Sequence, residues 1–519
     1  MKKNSNSTLL ISALHSGLWI LFSAALCVLG WHLAYGDGAI DLFSLNLTGI
    51  AGHFAIKIDT ISSLMLAMIT LLGAIIGKYS LRYLNGEEKQ AYFYKYLFFT
   101  IVSVSFLVLS NNLVMFFAMW LSSSLGLHKL LLYSPERKQA VAAAWKKFVV
   151  SRFGDLSILL AIILTYRTFN TFDFSELFKA ANSVASHSLE ARSLSIIGVL
   201  FTVGAVSKSA QFPFHFWLPE TMETPAPISA LMHAGIINAG GFLIIRLSPM
   251  LQHAELAHVI LTLFGSVTAV FGALAMITQN DIKKKLAFST ISQMGVMMVS
   301  CGLGAYSLAL FHIIAHSFYK AHAFLSTGFL VEESKKVKFN HSKPSLLFLI
   351  LGATFGYLLV TFGTFYAGSQ YLAYFTYAAI LMLGFVQNID FGEQPFFKMG
   401  FRFFSILLAI FIFSLGICFA FESFLHAKLV ALTPMTWGEN SNSAVQAITC
   451  FASYTIFAIG LGLSALLIDS KGPLVQKIYL YFWNGGYFSQ RTSFLFNQNV
   501  SKSYSTNSFE GKGQIHETV

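Results

Sequence analysis

Long apolar runs separated by short polar breaks dominate the chain, and their length decides the fold class. A helix crossing a hydrocarbon layer about 30 Å thick needs about 20 mostly apolar residues. Runs of this kind lie at roughly 8–34, 56–77, 91–110, 112–133, 148–168, 193–212, 224–245, 256–279, 286–303, 306–330, 345–366, 369–389, 403–421 and 444–468. The pattern predicts an all-α polytopic membrane protein of about 14 transmembrane helices (12–14), with at least one helix broken. Some breaks are minimal. Ser110-Asn111-Asn112 splits one long run and Gly368-Ser369-Gln370 another. The expected division is N-terminal helices over 1–90, a core over 91–335, C-terminal helices over 336–470 and a polar tail over 471–519. From about Gly485 the tail is rich in Ser and Asn and reads as mobile.

Composition strengthens this reading. Of 519 residues, 55% are hydrophobic and 11% charged, whereas a soluble domain carries about 25% charged residues. So few charges cannot cover the surface of a large soluble protein. The net charge of +11 does not mark a nucleic-acid binder, because the positive residues fall into alternate short loops. One side holds Lys2 and Lys3, Lys78 to Lys95, Arg137, Lys138, Lys146 and Lys147, Lys283 to Lys285, Lys335 to Lys343, Lys398 and Arg402, and the tail. The other holds Lys179, Arg192, Arg246 and Lys428. Positive loops face the cytoplasm, which predicts a multi-pass protein of a bacterial inner (plasma) membrane with both termini cytoplasmic. Cys27, Cys301, Cys418 and Cys450 are scattered through apolar stretches. They lack the clustering that zinc or iron–sulfur ligands need.

Charges inside apolar runs carry the candidate chemistry, since a charge at the bilayer centre costs about 2.5–3.5 kcal/mol on insertion scales. Lys57, Asp59, Lys129 and Arg167 sit near run ends, where long side chains snorkel. Lys208 lies well inside 193–212, five residues before Pro213. Proline breaks a helix, and a lysine beside such a break is either a proton carrier or a cap on free carbonyls. His312, His316 and Lys320 recur every four residues and share one helix face over about 12 Å. Imidazole exchanges protons near neutral pH, so the three form a relay candidate. A zinc site is the alternative reading of His-Ile-Ile-Ala-His, and a packed structural face is another. His322 turns to a different face. Asp155 follows Arg152 by three residues, so the two can pair, either as a static orienting pair or as an acid tuning a carrier. His233 is isolated in a charge-free run and is a further relay candidate. Gly460-Leu-Gly-Leu-Ser-Ala465 matches a dinucleotide fingerprint without its strand and helix context. It reads instead as a close helix contact. No cofactor motif is present and no covalent chemistry is expected of the chain.

Three segments carry a family resemblance. They are Lys-Ser-Ala-Gln-Phe-Pro from Lys208 with Trp-Leu-Pro and Thr-Pro-Ala-Pro-Ile-Ser-Ala-Leu-Met-His-Ala, then Lys147 to Asp155, then Phe311 to Lys320. Over about 50–335 the chain resembles the proton-conducting membrane subunits of respiratory complex I and the Mrp cation/proton antiporters. That resemblance implies an antiporter-like architecture in which Lys208 is a central proton carrier. Asp155, His233, His312, His316 and Lys320 would lie on a charged axis. Two departures stand out. The family glutamate after the tryptophan matching Trp120 is replaced by Leu121, followed by Ser122, Ser123 and Ser124. The second broken-helix lysine also has no clear counterpart, Lys398 being the nearest.

Within the superfamily, Leu218 to Arg246 is most similar to the DabB membrane subunits of bacterial DAB inorganic carbon accumulation complexes. This implies a large soluble partner, DabA, resembling a zinc carbonic anhydrase, with zinc held there and not in this chain. Flow of H+ or Na+ would then drive hydration of CO2 to bicarbonate. The readings left open are a pumping subunit of a quinone oxidoreductase or hydrogenase, and a non-conducting membrane anchor.

Overall fold

The computed structural model describes residues 5–47, 50–184, 188–327, 346–367, 369–386, 405–416, 419–420, 443–469 and 472–491. The described chain is helical apart from one β-hairpin. Helix α1 (Ser5–Tyr35) leads into antiparallel strands β1 (Gly38–Leu47) and β2 (Ile50–Ile58), paired from Gly38 with Ile58 to Leu47 with Ile50. Then come α2 (Thr60–Tyr83), α3 (Gln90–Leu109), α4 (Leu113–Leu131), α5 (Lys138–Phe169), α6 (Phe174–Asn182) and α7 (Leu189–Lys208). Next are α8 (Ala226–Ala234), α9 (Ala239–Arg246), α10 (Ser248–Leu251), α11 (Glu255–Thr278), α12 (Ile282–Gly302) and α13 (Tyr306–Leu325). The rest are α14 (Leu346–Phe362), α15 (Ser369–Val386), α16 (Ser405–Gly416), α17 (Ser443–Asp469) and α18 (Pro473–Trp483).

The described parts of the predicted runs lie on helices, apart from the start of 56–77 and the break in 224–245, and nine spans among the described residues, against the about 14 expected of the whole chain, are long and apolar enough to cross a membrane. The hairpin was not expected. Its second strand takes up the start of the 56–77 run, so α2 begins only at Thr60. The polar breaks have a local cause. Asn112 caps α4 by accepting from the Met115 amide at 2.7 Å, and Asp59 caps α2 by accepting from the Ser62 amide at 2.8 Å. Each satisfies an amide that the first turn of a helix leaves free.

One extended core runs through α1 to α13, and a second joins the end of α12 and start of α13 to α14–α17. Small residues bring helices to backbone contact. A Cβ on Gly154 of α5 would collide with Ser207 of α7, so these helices meet where α7 ends at Lys208. Gly460 packs its open face on Val270 of α11, in line with the close-contact reading of its motif.

The 224–245 run is not one helix. After α8 a 3-10 turn at Ile236–Asn238 interrupts it before α9. Residues 472–491 pack on the bundle instead of standing free, correcting the mobile-tail expectation for Gly485–Arg491. Tyr479 donates to the Thr278 carbonyl at 3.1 Å, and Gln279 donates to the Trp483 carbonyl at 3.1 Å. Lys146 reaches Ser489 Oγ at 3.2 Å. Lys398 lies outside the described residues.

Candidate functional site: a buried row of ionisable groups

The predicted residues fall into two clusters joined by polar side chains. The first is built where α4, α5 and α7 meet. Arg152 Nη2 lies 2.6 Å from Asp155 Oδ2. The Trp120 indole N–H donates to Asp155 Oδ1 at 2.7 Å. Lys208 Nζ stands 4.4 Å from the centroid of the same indole and has no hydrogen-bond partner among the described residues. It is 5% exposed. An aromatic face is one of the few apolar surfaces that tolerates an ammonium, by about 2 kcal/mol when desolvated. The lysine is therefore held without being locked to a fixed anion.

Lys147 belongs to this cluster although it was assigned to a cytoplasmic loop. Its Nζ donates to the Ser124 carbonyl and to Ser124 Oγ, both at 2.9 Å, and it is 2% exposed. Arg152 Nη2 approaches the same hydroxyl at 3.4 Å. The serine run after Leu121 thus supplies a neutral acceptor on the helix where an acid was expected. Lys146, likewise assigned to the loop, is buried and paired with Glu220 at 2.8 Å. The pair lines a cleft of about 490 Å³ with His215, Lys138 and Lys284. Burial raises the Glu220 carboxyl above its ordinary value, with Lys146 opposing.

The second cluster sits on α8, α12 and α13. His233 Nδ1 is 3.1 Å from Thr290 Oγ1. The Thr290 hydroxyl hydrogen already goes to the Leu286 carbonyl at 3.0 Å. A hydroxyl has one hydrogen to give and two lone pairs to accept with, so Thr290 links His233 Nδ1 to the Leu286 carbonyl. Nε2 has no partner among the described residues. Lys320 donates to the same Leu286 carbonyl at 3.1 Å, so His233 and Lys320 are joined through one carbonyl and one hydroxyl. The rings of His312 and His316 stack at 6.0 Å, as spacing by four predicts. Both line a cleft of about 740 Å³ with Gln293 and Tyr377.

The break in α8–α9 bridges the clusters. Ser209, next to Lys208, donates to the Ile237 carbonyl at 2.7 Å. Asn238 donates to Ser317 Oγ at 2.8 Å, one residue past His316. All seven predicted residues are thus placed in one region. Sequence reasoning missed Lys147, Ser124, Thr290, Asn238 and Ser317. For Thr290 and Ser317 there was no signal, because such residues are common in membrane helices. For Lys147 the signal was its position directly against the start of the 148–168 apolar run.

Asp59 and Arg246 correct another expectation. Asp59 is fully buried and bonded to Arg246 Nη1 at 2.5 Å, with Lys57 at 3.6 Å. It does not snorkel, and Arg246 is not a loop residue. Among the described residues no group of three His, Cys, Asp or Glu is placed to hold a metal.

The family described as NADH:quinone oxidoreductase/Mrp antiporter, TM, matches residues 110–391, more than half of the chain. The chain belongs to this antiporter-like membrane family. The N-terminal family of complex I chain 5 matches residues 45–94. A curated relative, the probable inorganic carbon transporter subunit DabB of Hydrogenovibrio crunogenus, is 37% identical over 319 residues, 59% of this chain and 61% of its own. The chloroplastic NAD(P)H-quinone oxidoreductase subunit 5 of Lolium perenne is 36% identical over 61% of this chain and 43% of its own. The chain therefore aligns with less than two thirds of either relative. The solved Mrp complex from Dietzia shares the fold, with TM-score 0.58 at 20% identity over 98% of this chain and 59% of that one.

Proposed function

We propose that this chain is the cation-translocating membrane subunit of an inorganic carbon accumulation complex, carrying protons along the buried row from Lys208 to His312. The observation that carries the reading is Lys208 itself: a buried amine over Trp120 with no fixed anion, at the end of a broken helix. Such an amine can change charge, because no fixed anion locks it in its ammonium form and the aromatic face beneath it is itself uncharged. Asp155 orients the tryptophan and balances Arg152. From Lys208 a proton moves along Ser209, Asn238 and Ser317 to the His233, His316 and Lys320 groups. His233 Nε2 is free of any partner among the described residues, and imidazoles pass protons in either direction. His312 and His316 open to the large cleft, which has room for water.

The carbon role rests on similarity to the DabB relatives. In this reading the ion flow drives one-way hydration of CO2 to bicarbonate on a soluble, zinc-dependent DabA-like partner, at a bacterial inner membrane with both termini cytoplasmic. The chain itself does no covalent chemistry. A second reading, a subunit of a proton-pumping quinone oxidoreductase, has support in the nearly equal identity to the Lolium subunit. Purification from the native host separates the two. Recovery of a zinc-containing soluble subunit, with bicarbonate uptake lost on deleting either gene, is expected. Recovery of flavin or iron–sulfur subunits instead selects the second reading and rejects the first.

A further inference from the structure

The first cluster holds more positive than negative charge. Arg152 and Asp155 neutralise each other at 2.6 Å. Two further amines, Lys147 and Lys208, are each at most 5% exposed and meet no other carboxylate among the described residues. Lys208 rests on Trp120 and Lys147 on Ser124. These anchors are one turn apart on α4, so they lie roughly 6 Å apart along that helix. Among the described residues, the elements around Lys147 add no anion without a cationic partner of its own. From α4 comes His128, and from α7 Lys208. On α5 stand Lys146, Arg152 and Asp155. The 3-10 turns after α7 bring His215, Glu220 and Glu223, of which Glu220 is taken by Lys146 at 2.8 Å and Glu223 lies 3.9 Å from Arg137.

Two buried ammonium groups resting on successive turns of one helix repel, and each also bears the cost of leaving water. Ser124 does not fix the charge of Lys147, since its carbonyl and hydroxyl are uncharged and accept from a neutral amine as well as, more strongly, from an ammonium. We propose that Lys147 is the electrostatic partner of Lys208, so that protonation of either amine drives the proton off the other. This rests on the proton-carrying role of Lys208 given above. Lys147 is a positioning residue by charge: it does the work of an acid at Leu121 with the opposite sign. An acid there would hold the proton on Lys208, whereas a charged Lys147 helps to expel it.

The test uses the complex as purified from its host, reconstituted into liposomes containing a pH-sensitive dye, with a potassium diffusion potential as driving force. Proton flux is recorded from pH 5 to 10 for the native protein, Lys147→Met, Lys147→Gln, Lys147→Arg and Lys208→Ala. Lys147→Met and Lys147→Gln remove the competing charge, so the flux profile should move about one pH unit or more to the alkaline side, as expected for coupled sites. Lys147→Arg makes the charge permanent and should move it to the acid side. A purely structural lysine would lower flux in all three without moving the profile in opposite directions. That outcome, or no movement, overturns the partnership while leaving Lys208 as carrier. Native flux in Lys208→Ala overturns the carrier role and the partnership together. The glutamine variant keeps a donor to Ser124, so a folding defect in the methionine variant does not stop the test.

Discussion

Trp120 and Asp155 stand on neighbouring helices, joined by an indole N–H to carboxylate bond of 2.7 Å, and Lys208 lies over the face of the same indole. One side chain therefore fixes the acid with its edge and the amine with its face. The Trp120→Phe variant keeps an aromatic surface and loses the N–H. A hydrogen bond to a charged group is worth about 1.5–3 kcal/mol, and phenylalanine is the weaker cation-binding face. Proton flux in liposomes should fall about tenfold with the protein still inserted. Unchanged flux would show that the indole edge does not hold the site.

Asp59 and Arg246 form the opposite kind of pair, bidentate and sealed, with Arg246 also bonded to Ser62 Oγ at 2.7 Å. It ties the start of α2 to the end of α9. Breaking such a pair leaves a buried charge and costs about 3–5 kcal/mol, whereas replacing both partners with apolar residues is often nearly neutral. Asp59→Asn should lower the melting midpoint in detergent, and Asp59→Leu combined with Arg246→Met should restore much of it. A double variant less stable than Asp59→Asn would contradict this reading.

His215 gives a pH dependence. Its ring is packed by Phe212, Phe271 and Phe488 at 4.6–5.6 Å, and burial holds the imidazole down to about 4 from an ordinary 6.5. A group whose value is depressed on folding stabilises the protein above its unfolded value and loses that contribution as pH falls through the folded one. The native protein should lose thermal stability relative to His215→Phe between about pH 6.5 and pH 4. Parallel melting curves over that interval would rule the histidine out as the cause.

His316 stacks on His312 and has no fixed partner among the described residues. His316→Ala should reduce cation-driven flux while membrane insertion and yield stay normal. Full flux in that variant would remove the imidazoles from the path and leave Lys320 and His233 as its only carriers on that side.

Much of the bundle was legible because lipid imposes a length on every apolar run. The ladder on α13 was legible because i, i+4 spacing is local. What escaped depends on residues far apart in sequence. Asp59 and Arg246 are separated by 187 positions, and Lys147 finds Ser124 across 23. A charge near a run end reads the same whether it snorkels outward or turns into the bundle. Only packing separates Lys129, which is exposed, from Lys147, which is buried. The hairpin was hidden for a related reason: Ile50–Ile58 is apolar enough to pass for the start of a span. The break at Ile236–Asn238 had a local sign in Gly235 and Asn238, weak beside the apolar run around it.

The most direct measurement is proton flux through the reconstituted complex carrying Lys208→Ala, with assembly monitored by gel filtration. Lys208 is the one group every proposed step passes through. Flux at the level of protein-free liposomes, with an unchanged elution profile, is the predicted result. Native flux from an intact Lys208→Ala complex would contradict the central claim and favour a protein that anchors its partner without conducting.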